Sequence, residues 1–279
     1  MDDSDDTSIK ITEILVALDD SHQSRAALET AAAIAKLMEA KIHGLFVHDD
    51  QWLRISKLPS ATEIDELTGK LSPIGRESIE KEIFELEKSI KKHFERISNQ
   101  YQITHAWSSV KGTVTEKVLE AAKEADLITI GSKGRSFSKS RKLGSTAAAV
   151  IRTANKPVLI LQKKTGTERP TIVLFDGSEK SISGVKTALK MAGKNNSSLV
   201  AIDISDTNSS APPLESLLSQ TKIDVDIIKP DQLNMGRFLF LLSRLRGGFL
   251  ILPKNERFTK KSTVEYILES AGCPILLAT

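Results

Sequence analysis

The chain has 279 residues, which is enough for one large domain or two domains of ordinary size. Its 40% hydrophobic and 27% charged residues are typical of a globular protein and exclude fibrous and wholly disordered classes. The chain has 39 basic and 36 acidic residues, so its net charge is only +3. Any contact with nucleic acid or another anion must therefore come from a local cluster of basic residues.

The acidic start, MDDSDDTS, is expected to be a disordered, solvated tail over residues 1–8. It lacks the positive charge and the apolar run of a secretory signal, and no segment reaches the roughly 18 uninterrupted apolar residues of a membrane span. The one cysteine, Cys273, lies in an apolar run, which favours a buried thiol in a reducing compartment. We therefore expect a cytoplasmic protein that has no membrane partner.

In the first part of the chain, short apolar runs rich in β-formers alternate with helical patterns. Strands are predicted at 14–18, 42–47, 103–108, 127–130 and 158–161, and helices at 24–39, 76–98, 113–125 and 145–152. Several strands are apolar on both faces, which is typical of a parallel sheet covered by helices on each side. The pattern predicts a doubly wound α/β fold, with a loop or lid over 49–75.

The sequence also contains an internal repeat. EILVALDDSHQSRAALETAAAIAK, from Glu13, resembles TIVLFDGSEKSISGVKTALKMAGK, from Thr171. STAAAVIRTANKPVLILQ, from Ser145, likewise resembles STVEYILESAGCPILLAT, from Ser262. We expect two tandem domains, 9–163 and 170–279, each with a five-stranded parallel sheet flanked by helices. The polar segment KKTGTERP separates them.

A basic loop rich in glycine follows the fourth predicted strand. It contains Gly131, Gly134 and Gly144, and Ser145 and Thr146 open the next helix. Because ligands bind at the carboxyl ends of parallel strands and a helix N-terminus offers unpaired N–H groups, the loop predicts an anion site. The glycines would allow positive φ or the close approach of a phosphate. The basic residues of the loop are Lys133, Arg135, Lys139, Arg141 and Lys142.

The glycine spacing resembles the motif of a known family. Gly131-Ser-Lys-Gly134, nine residues and then Gly144-Ser145 match the G-x-x-G, nine residues, G-[ST] pattern of ATP-binding universal stress proteins. ILVALDDS, HGLFVHDD and NKPVLIL extend the resemblance over the whole first copy. With its duplication, the chain resembles a tandem universal stress protein of bacterial type, which has a Rossmann-like fold.

This resemblance implies a stress-response signalling protein that binds ATP, or ADP or AMP, in its first domain. It puts Asp19 near the ribose and adenine, Ala17 in the base pocket, and the Val47 backbone against adenine. The residues that it puts around the rest of the nucleotide are Ile130, Gly131, Lys133, Gly134, Gly144, Ser145 and Thr146. The alternative for Asp19 is a cap at the entry to a helix.

The second copy departs from the motif. It retains Asp176, but Pro253, Glu256 and Lys261 stand where the first copy has its three glycines, and its loop is five residues shorter. Proline removes an amide donor and glutamate repels phosphate, so we expect this domain to bind ATP far more weakly or not at all. The family resemblance suggests that the domains pair through the strands near 158–161 and 275–277. A homodimer and an unknown protein partner are compatible with this.

Other functions are weighed against nucleotide binding. Hydrolysis needs a metal and a positioned water, and Asp19, Asp20, Asp49 and Asp50 could hold Mg²⁺. No dedicated base is evident, so slow or absent turnover is expected, and no catalytic residue or metal site is assigned. The basic loop could instead contact nucleic acid, but only Phe137 supplies an aromatic ring there, which does not favour this. A nucleotide-independent interaction scaffold is the third interpretation.

Overall fold

The computed structural model describes residues 11–50, 62–64, 71–73, 76–134, 143–162, 169–205, 212–230 and 234–279. The predicted tail, most of the stretch 49–75 and most of the KKTGTERP segment lie outside the described residues. So do Arg135, Phe137, Lys139, Arg141 and Lys142 of the basic loop. Residues 11–162 are called the first half below, and residues 169–279 the second half.

In the first half, the described strands are β1 (Glu13–Leu18), β2 (Lys41–Asp49), β3 (Thr62–Ile64), β4 (Leu71–Pro73), β5 (His105–Gly112), β6 (Leu127–Gly131) and β7 (Val158–Leu161). The described helices are α1 (His22–Met38), α2 (Arg76–Tyr101), α3 (Val114–Ala121) and α4 (Ser145–Thr153). β3 and β4 form a separate antiparallel pair within the stretch that was expected to be a loop or lid.

In the second half, the described strands are β8 (Thr171–Phe175), β9 (Leu199–Asp203), β10 (Val225–Ile228), β11 (Phe249–Pro253) and β12 (Ile275–Ala278). The described helices are α5 (Glu179–Asn195), α6 (Leu214–Leu218), α7 (Met235–Leu245), α8 (Glu256–Thr259) and α9 (Lys261–Ala271). α6 is the much shorter counterpart of α2.

One ten-stranded sheet contains the main strands, in the order β10-β9-β8-β11-β12-β7-β6-β1-β2-β5. Each half contributes five parallel strands in the order third, second, first, fourth, fifth. The halves meet where β12 runs antiparallel to β7, with Ile275 opposite Ile160 and Leu277 opposite Val158. The predicted α/β class is confirmed, and the last strands pair as expected.

Each face of the sheet is covered by one apolar core that extends over both halves. The first face lies under α1, α2, α5 and α6, and its core includes Leu28, Phe94 and Val185. The second face lies under α3, α4, α7 and α9, and its core includes Val150 and Phe238. Strands such as β6 and β11 are buried along their whole length because helices cover them on both sides.

Several predicted element boundaries differ from the structure, and two of them have a clear local cause. The strand predicted at 103–108 begins only at His105, because Gln102 takes a left-handed conformation (φ 56°) that ends α2. The Ile103 N–H then bonds back to the Ser98 carbonyl at 3.1 Å. The helix predicted at 113–125 ends at Ala121, and turns follow it. In both places, local hydrogen bonds decide an end that hydrophobic periodicity does not mark.

Cys273 is buried, as expected, with 4% of the residue exposed. Burial raises the pKa of its thiol to about 12, so the thiolate is scarce at neutral pH. In the part of the chain that the structure describes, no helix has both the length and the apolar character needed to cross a membrane.

Asp126 joins the start of β1 to the start of β6. Its Oδ2 accepts hydrogen bonds from Thr12 N at 2.8 Å, Thr12 Oγ1 at 2.6 Å and Glu13 N at 3.1 Å. Partial burial opposes ionisation, but these hydrogen bonds outweigh it and lower the pKa of the carboxyl group. The charged form of Asp126 therefore stabilises the fold.

We expect Asp126→Asn to lower the free energy of unfolding at neutral pH by roughly 1 kcal/mol, since a half-exposed charged acceptor is replaced by a neutral one. Because the folded pKa lies below the unfolded value, this contribution is present above about pH 4 and is lost as pH falls through the folded pKa. Urea unfolding of both proteins across this range measures the difference, and a difference that does not change with pH would contradict the assignment.

Candidate functional site

Three neighbouring parallel strands bring the predicted pocket residues to one edge of the sheet. β1 lies between β6 and β2, so the carboxyl ends of these strands lie side by side. Ala17 is opposite Leu45 of β2, and Val47 lies two residues further along that strand. Ala17, Val47 and Ile130 all border the core of the second face. They therefore lie on the same side of the sheet as α3 and α4.

The two described ends of the basic loop meet beside β6. Gly144 N donates to Ser132 O at 2.8 Å, and Ser132 N donates to Leu161 O at 2.6 Å. A Cβ atom at Gly144 would lie 3.4 Å from Ser132 O, 3.5 Å from Lys133 Cα and 3.6 Å from Gly134 N. The turn after β6 therefore packs directly against the residue that precedes α4.

The N-terminus of α4 lies at this turn. Gly144 is its N-cap residue and, having no side chain, makes no capping hydrogen bond. Ser145 is exposed, Thr146 is half-buried, and the first turn contains no acidic residue. An uncapped helix N-terminus presents N–H groups and partial positive charge, which suit an anion. The Gly144 amide itself is not one of these donors, because it bonds to Ser132.

The structure removes one of the two expected reasons for the glycines and adds another. None of the three loop glycines has a positive φ, so conformational freedom does not explain them. A Cβ at Gly131 would lie 2.9 Å from the backbone of Gln23 and Ser24, at the start of α1. A Cβ at Gly134 would lie 2.9 Å from Asp19 Oδ2. Close approach explains both, by the backbone of α1 in one case and by a carboxylate in the other.

Asp19 follows β1 and supports the start of α1. Its Oδ1 accepts hydrogen bonds from Ser21 N at 3.0 Å and Ser21 Oγ at 2.5 Å. Ser21 is the N-cap residue of α1, and its Oγ accepts a hydrogen bond from Ser24 N at 3.1 Å. The cap interpretation of Asp19 is therefore partly correct, since Asp19 orients the cap residue. Its other oxygen faces Gly134.

Asp176 occupies the same place in the second half. Its Oδ1 accepts hydrogen bonds from Ser178 N at 3.0 Å and Ser178 Oγ at 2.6 Å. Its Oδ2, however, lies 3.2 Å from the Asn255 Nδ2 donor. Asn255 caps α8, a short helix that the sequence analysis did not predict and that replaces the glycine turn. Asn255 thus occupies the oxygen of Asp176 that corresponds to the one facing Gly134 in the first half.

Ser132 is a site residue that sequence reasoning missed. Its residue is 2% exposed, and its Oγ has no hydrogen-bond partner among the described residues. Leaving a buried hydroxyl unpaired is costly, so such a group calls for an explanation. A serine between two glycines follows no pattern of its own, and only the fold shows that it lies at the turn against α4.

A second pocket lies on the first face, between the start of α1 and α2. Burial and the guanidinium of Arg96 lower the pKa of His93, which lines it. His93 Nε2 is buried and has no partner within the described ranges. This pocket reaches Asp19 from the face opposite Ala17 and Val47, so it is distinct from the predicted nucleotide pocket. Its lining residues are Leu18, Asp19, Asp20, Ser24, Arg25, Leu28, Ser89, Ile90 and His93.

The acidic residues considered for Mg²⁺ do not form a ligand cluster. Over the ranges that the structure describes, no three His, Cys, Asp or Glu side chains are grouped as a metal site would require. Asp20 instead pairs with Arg25 at 2.5 Å. His48 Nε2 lies 2.8 Å from both Glu87 Oε2 and Ser109 Oγ. These contacts hold the start of α1 and join β2 to α2 and β5.

Comparison with known proteins identifies the family. The model of the universal stress protein family matches residues 10–162. The universal stress protein MJ0531 of Methanocaldococcus jannaschii is 27% identical over 152 residues, which are 54% of this chain and 81% of that protein.

Two solved structures extend this comparison. A universal stress protein from Archaeoglobus fulgidus has 18% identity and a TM-score of 0.69, and the match covers 96% of this chain and 98% of that one. A universal stress protein in complex with cAMP has 21% identity and a TM-score of 0.38, and its match covers 56% of this chain and 99% of that one. The Archaeoglobus structure shares the fold of both halves, and the family model matches more than half of the sequence. The chain belongs to the universal stress protein family.

Proposed function

We propose that the first half binds ATP at the carboxyl edge of β6, β1 and β2, and that occupancy of this site is a signal in a stress response. The main support is the hydrogen bond from Gly144 N to Ser132 O. This bond holds the N-terminus of α4 against the turn after β6. The backbone N–H groups of the helix terminus and those of the turn are thereby brought close together. One helix terminus contributes only about 0.3–1 kcal/mol to anion binding, so convergence is needed for useful affinity.

The residues at this edge fit an adenine nucleotide. The amides and hydroxyls of Ser145 and Thr146 suit the phosphates, and the buried Ser132 hydroxyl offers another polar group at the turn. Ala17, Val47 and Ile130 suit an apolar base because they border one core. The carboxylate of Asp19 would repel phosphate, so we place it at the ribose, where it would accept hydrogen bonds from the hydroxyl groups. ADP and AMP would make the same contacts with fewer phosphate interactions.

The proposal assigns different roles to two domains, 9–163 and 170–279. In the second domain, Asn255 already occupies the second oxygen of Asp176, and Lys180 Nζ donates to Lys254 O at 2.7 Å. The matching edge is thus filled by the chain's own side chains, which supports weak or absent ATP binding there. The buried Cys273 agrees with a cytoplasmic location for the whole protein.

Calorimetric titration of the full-length chain tests the proposal directly. We expect one ATP bound per chain, and tighter binding of ATP than of adenosine because the phosphates contact the α4 N-terminus. Two ATP molecules per chain would contradict the role of the second half. Equal affinities for ATP and adenosine, or no heat from either, would contradict the site itself. If the affinity depends on salt concentration but not on whether the ligand is ATP or another polyanion, binding would be electrostatic contact with the basic loop.

Gly134→Ala should weaken ATP binding by roughly tenfold, because the new Cβ would lie 2.9 Å from Asp19 Oδ2 and displace that carboxylate. The backbone at Gly134 does not have positive φ, so alanine should leave the fold intact. Gly193→Ala, at an exposed position in α5, is the matched control and should bind ATP as the unsubstituted chain does. Calorimetry gives the affinities, and thermal unfolding checks both folds.

Asp19→Ala and Asp176→Ala form a pair that separates structure from binding. Each removes the two hydrogen bonds that orient the cap residue of a helix, and Asp176→Ala also removes the bond from Asn255 Nδ2, so we expect the loss of stability in Asp176→Ala to be at least as large as in Asp19→Ala. Only Asp19→Ala should weaken ATP binding, by roughly tenfold, because only that carboxylate lies at the glycine turn. Equal effects of the two substitutions on ATP affinity would show that Asp19 acts through stability alone.

A further inference from the structure

Helix α4 is held at both ends by side chains of the second half. Before its N-terminus, Glu265 Oε1 accepts a hydrogen bond from Leu143 N at 2.7 Å. At its C-terminus, Lys254 Nζ donates to the carbonyl of Ala154, which is the C-cap residue, and lies 3.4 Å from Lys156 O. Because Leu143 directly precedes the N-cap Gly144, the first contact lies next to the proposed phosphate site.

A third contact supports α4 between these ends. The short helix α8 packs against α4. Phe258 of α8 is 1% exposed and belongs to the same apolar core as Val150 and Ile151 of α4. Lys254 and α8 belong to the segment after β11, which stands where the first half has its basic glycine loop. Glu265 lies on α9, directly after that segment.

The charges of the two end contacts match the dipole of α4. A carboxylate lies near the positive N-terminal end and an amine near the negative C-terminal end, so each contact stabilises the helix. Lys254 is 6% exposed, and burial together with the nearby Lys180 lowers its pKa to about 8. The Lys254 amine can donate hydrogen bonds in either protonation state, which suits its two carbonyl partners.

Among the described residues, two matching positions of the repeat behave differently. Ser132 and Lys254 occupy matching places, since each follows the end of a strand and donates its N–H to the last strand of its half, at 2.6 Å and 2.7 Å. The short hydroxyl of Ser132 has no partner among the described residues, whereas the Lys254 side chain reaches the other half. The sequence repeat pairs Glu265 with Ala148, whose methyl group cannot accept a hydrogen bond.

We propose that Glu265 and Lys254 are positioning residues for the nucleotide site of the first half. The second half, which has lost the glycine turn, holds the N-terminus of α4 where it can meet a phosphate. This inference rests on the proposed function. Binding is reciprocal, so nucleotide in the first half should also strengthen the contacts between the halves.

Substitutions of Glu265 in the full-length chain separate its hydrogen bond from its charge. Glu265→Ala should expose the Leu143 amide to faster hydrogen exchange and weaken ATP binding by about tenfold, while adenosine binding stays unchanged. Glu265→Gln keeps an acceptor and removes a negative charge near the phosphates. It should keep Leu143 protected and bind ATP at least as tightly as the unsubstituted chain. Glu269→Ala, one turn later and exposed, is the matched control and should change neither.

Lys254→Met tests the other end of α4. It keeps an apolar stem and removes the donor, so we expect faster exchange at the C-terminus of α4 and an ATP affinity lowered by about twofold to fivefold. Lys261→Met changes the same charge at an exposed position and should have no effect. Exchange by mass spectrometry without nucleotide, and calorimetry with ATP and with adenosine, measure all variants.

The outcomes distinguish this inference from the proposed function. Absence of ATP binding by the unsubstituted chain overturns both. ATP binding that is equally tight in Glu265→Ala overturns the inference and leaves the function standing. Equal losses of ATP and adenosine affinity in Glu265→Ala also overturn it, because they indicate general loosening. Slower exchange at Leu143 when ATP is added supports the reciprocal coupling.

Discussion

The antiparallel pairing of β7 with β12 is the contact on which the rest of the structure depends. It joins two sets of five parallel strands into one sheet and makes one continuous core on each face. It also reverses the direction of the second half relative to the first. The carboxyl edge of the second half therefore lies beside the C-terminus of α4, and the segment after β11 can reach that helix.

This geometry gives one loop position two different uses. In the first half, the turn after β6 contains glycines and packs against the N-cap residue of α4. In the second half, the same position holds Lys254, Asn255 and a helical turn that fill the local edge and contact the other half. The segment after β11, which has no glycine, thus supports helix α4 of the other half.

Much of the fold could be predicted from the sequence because its signals are local. The apolar run at 158–161 and the repeat of Ser-Thr, helix, proline and strand were enough to expect two similar sets of strands. The expected edge positions of Asp19, Val47 and Gly131 follow from the rule that parallel strands end together. That Ala17, Val47 and Ile130 lie on the same face of the sheet is visible only once the strands are paired. Side chains alternate between the two faces along each strand, but this alternation does not fix the register between strands.

The features that sequence reasoning missed depend on distant partners. A Cβ at Gly131 would meet the backbone of Gln23, which lies far away in the sequence, and spacing within the loop does not reveal this contact. Glu265 is an ordinary glutamate of an amphipathic helix until the sheet brings it to Leu143. The unpaired hydroxyl of Ser132 is visible only through burial. In each case, the tertiary neighbour carries the information and the residue pattern does not.

The burial of β7 has a consequence for the chain as a whole. Its four residues are buried at 1% exposure or less, whereas the outermost strands, β5 and β10, contain no buried residue. If the chain were truncated after residue 162, β7 would become an edge strand with unpaired backbone N–H and C=O groups beside apolar side chains. Such an edge can pair with other chains. The second half is thus a permanent cover for a strand that would otherwise recruit other copies, whatever ligand either half holds.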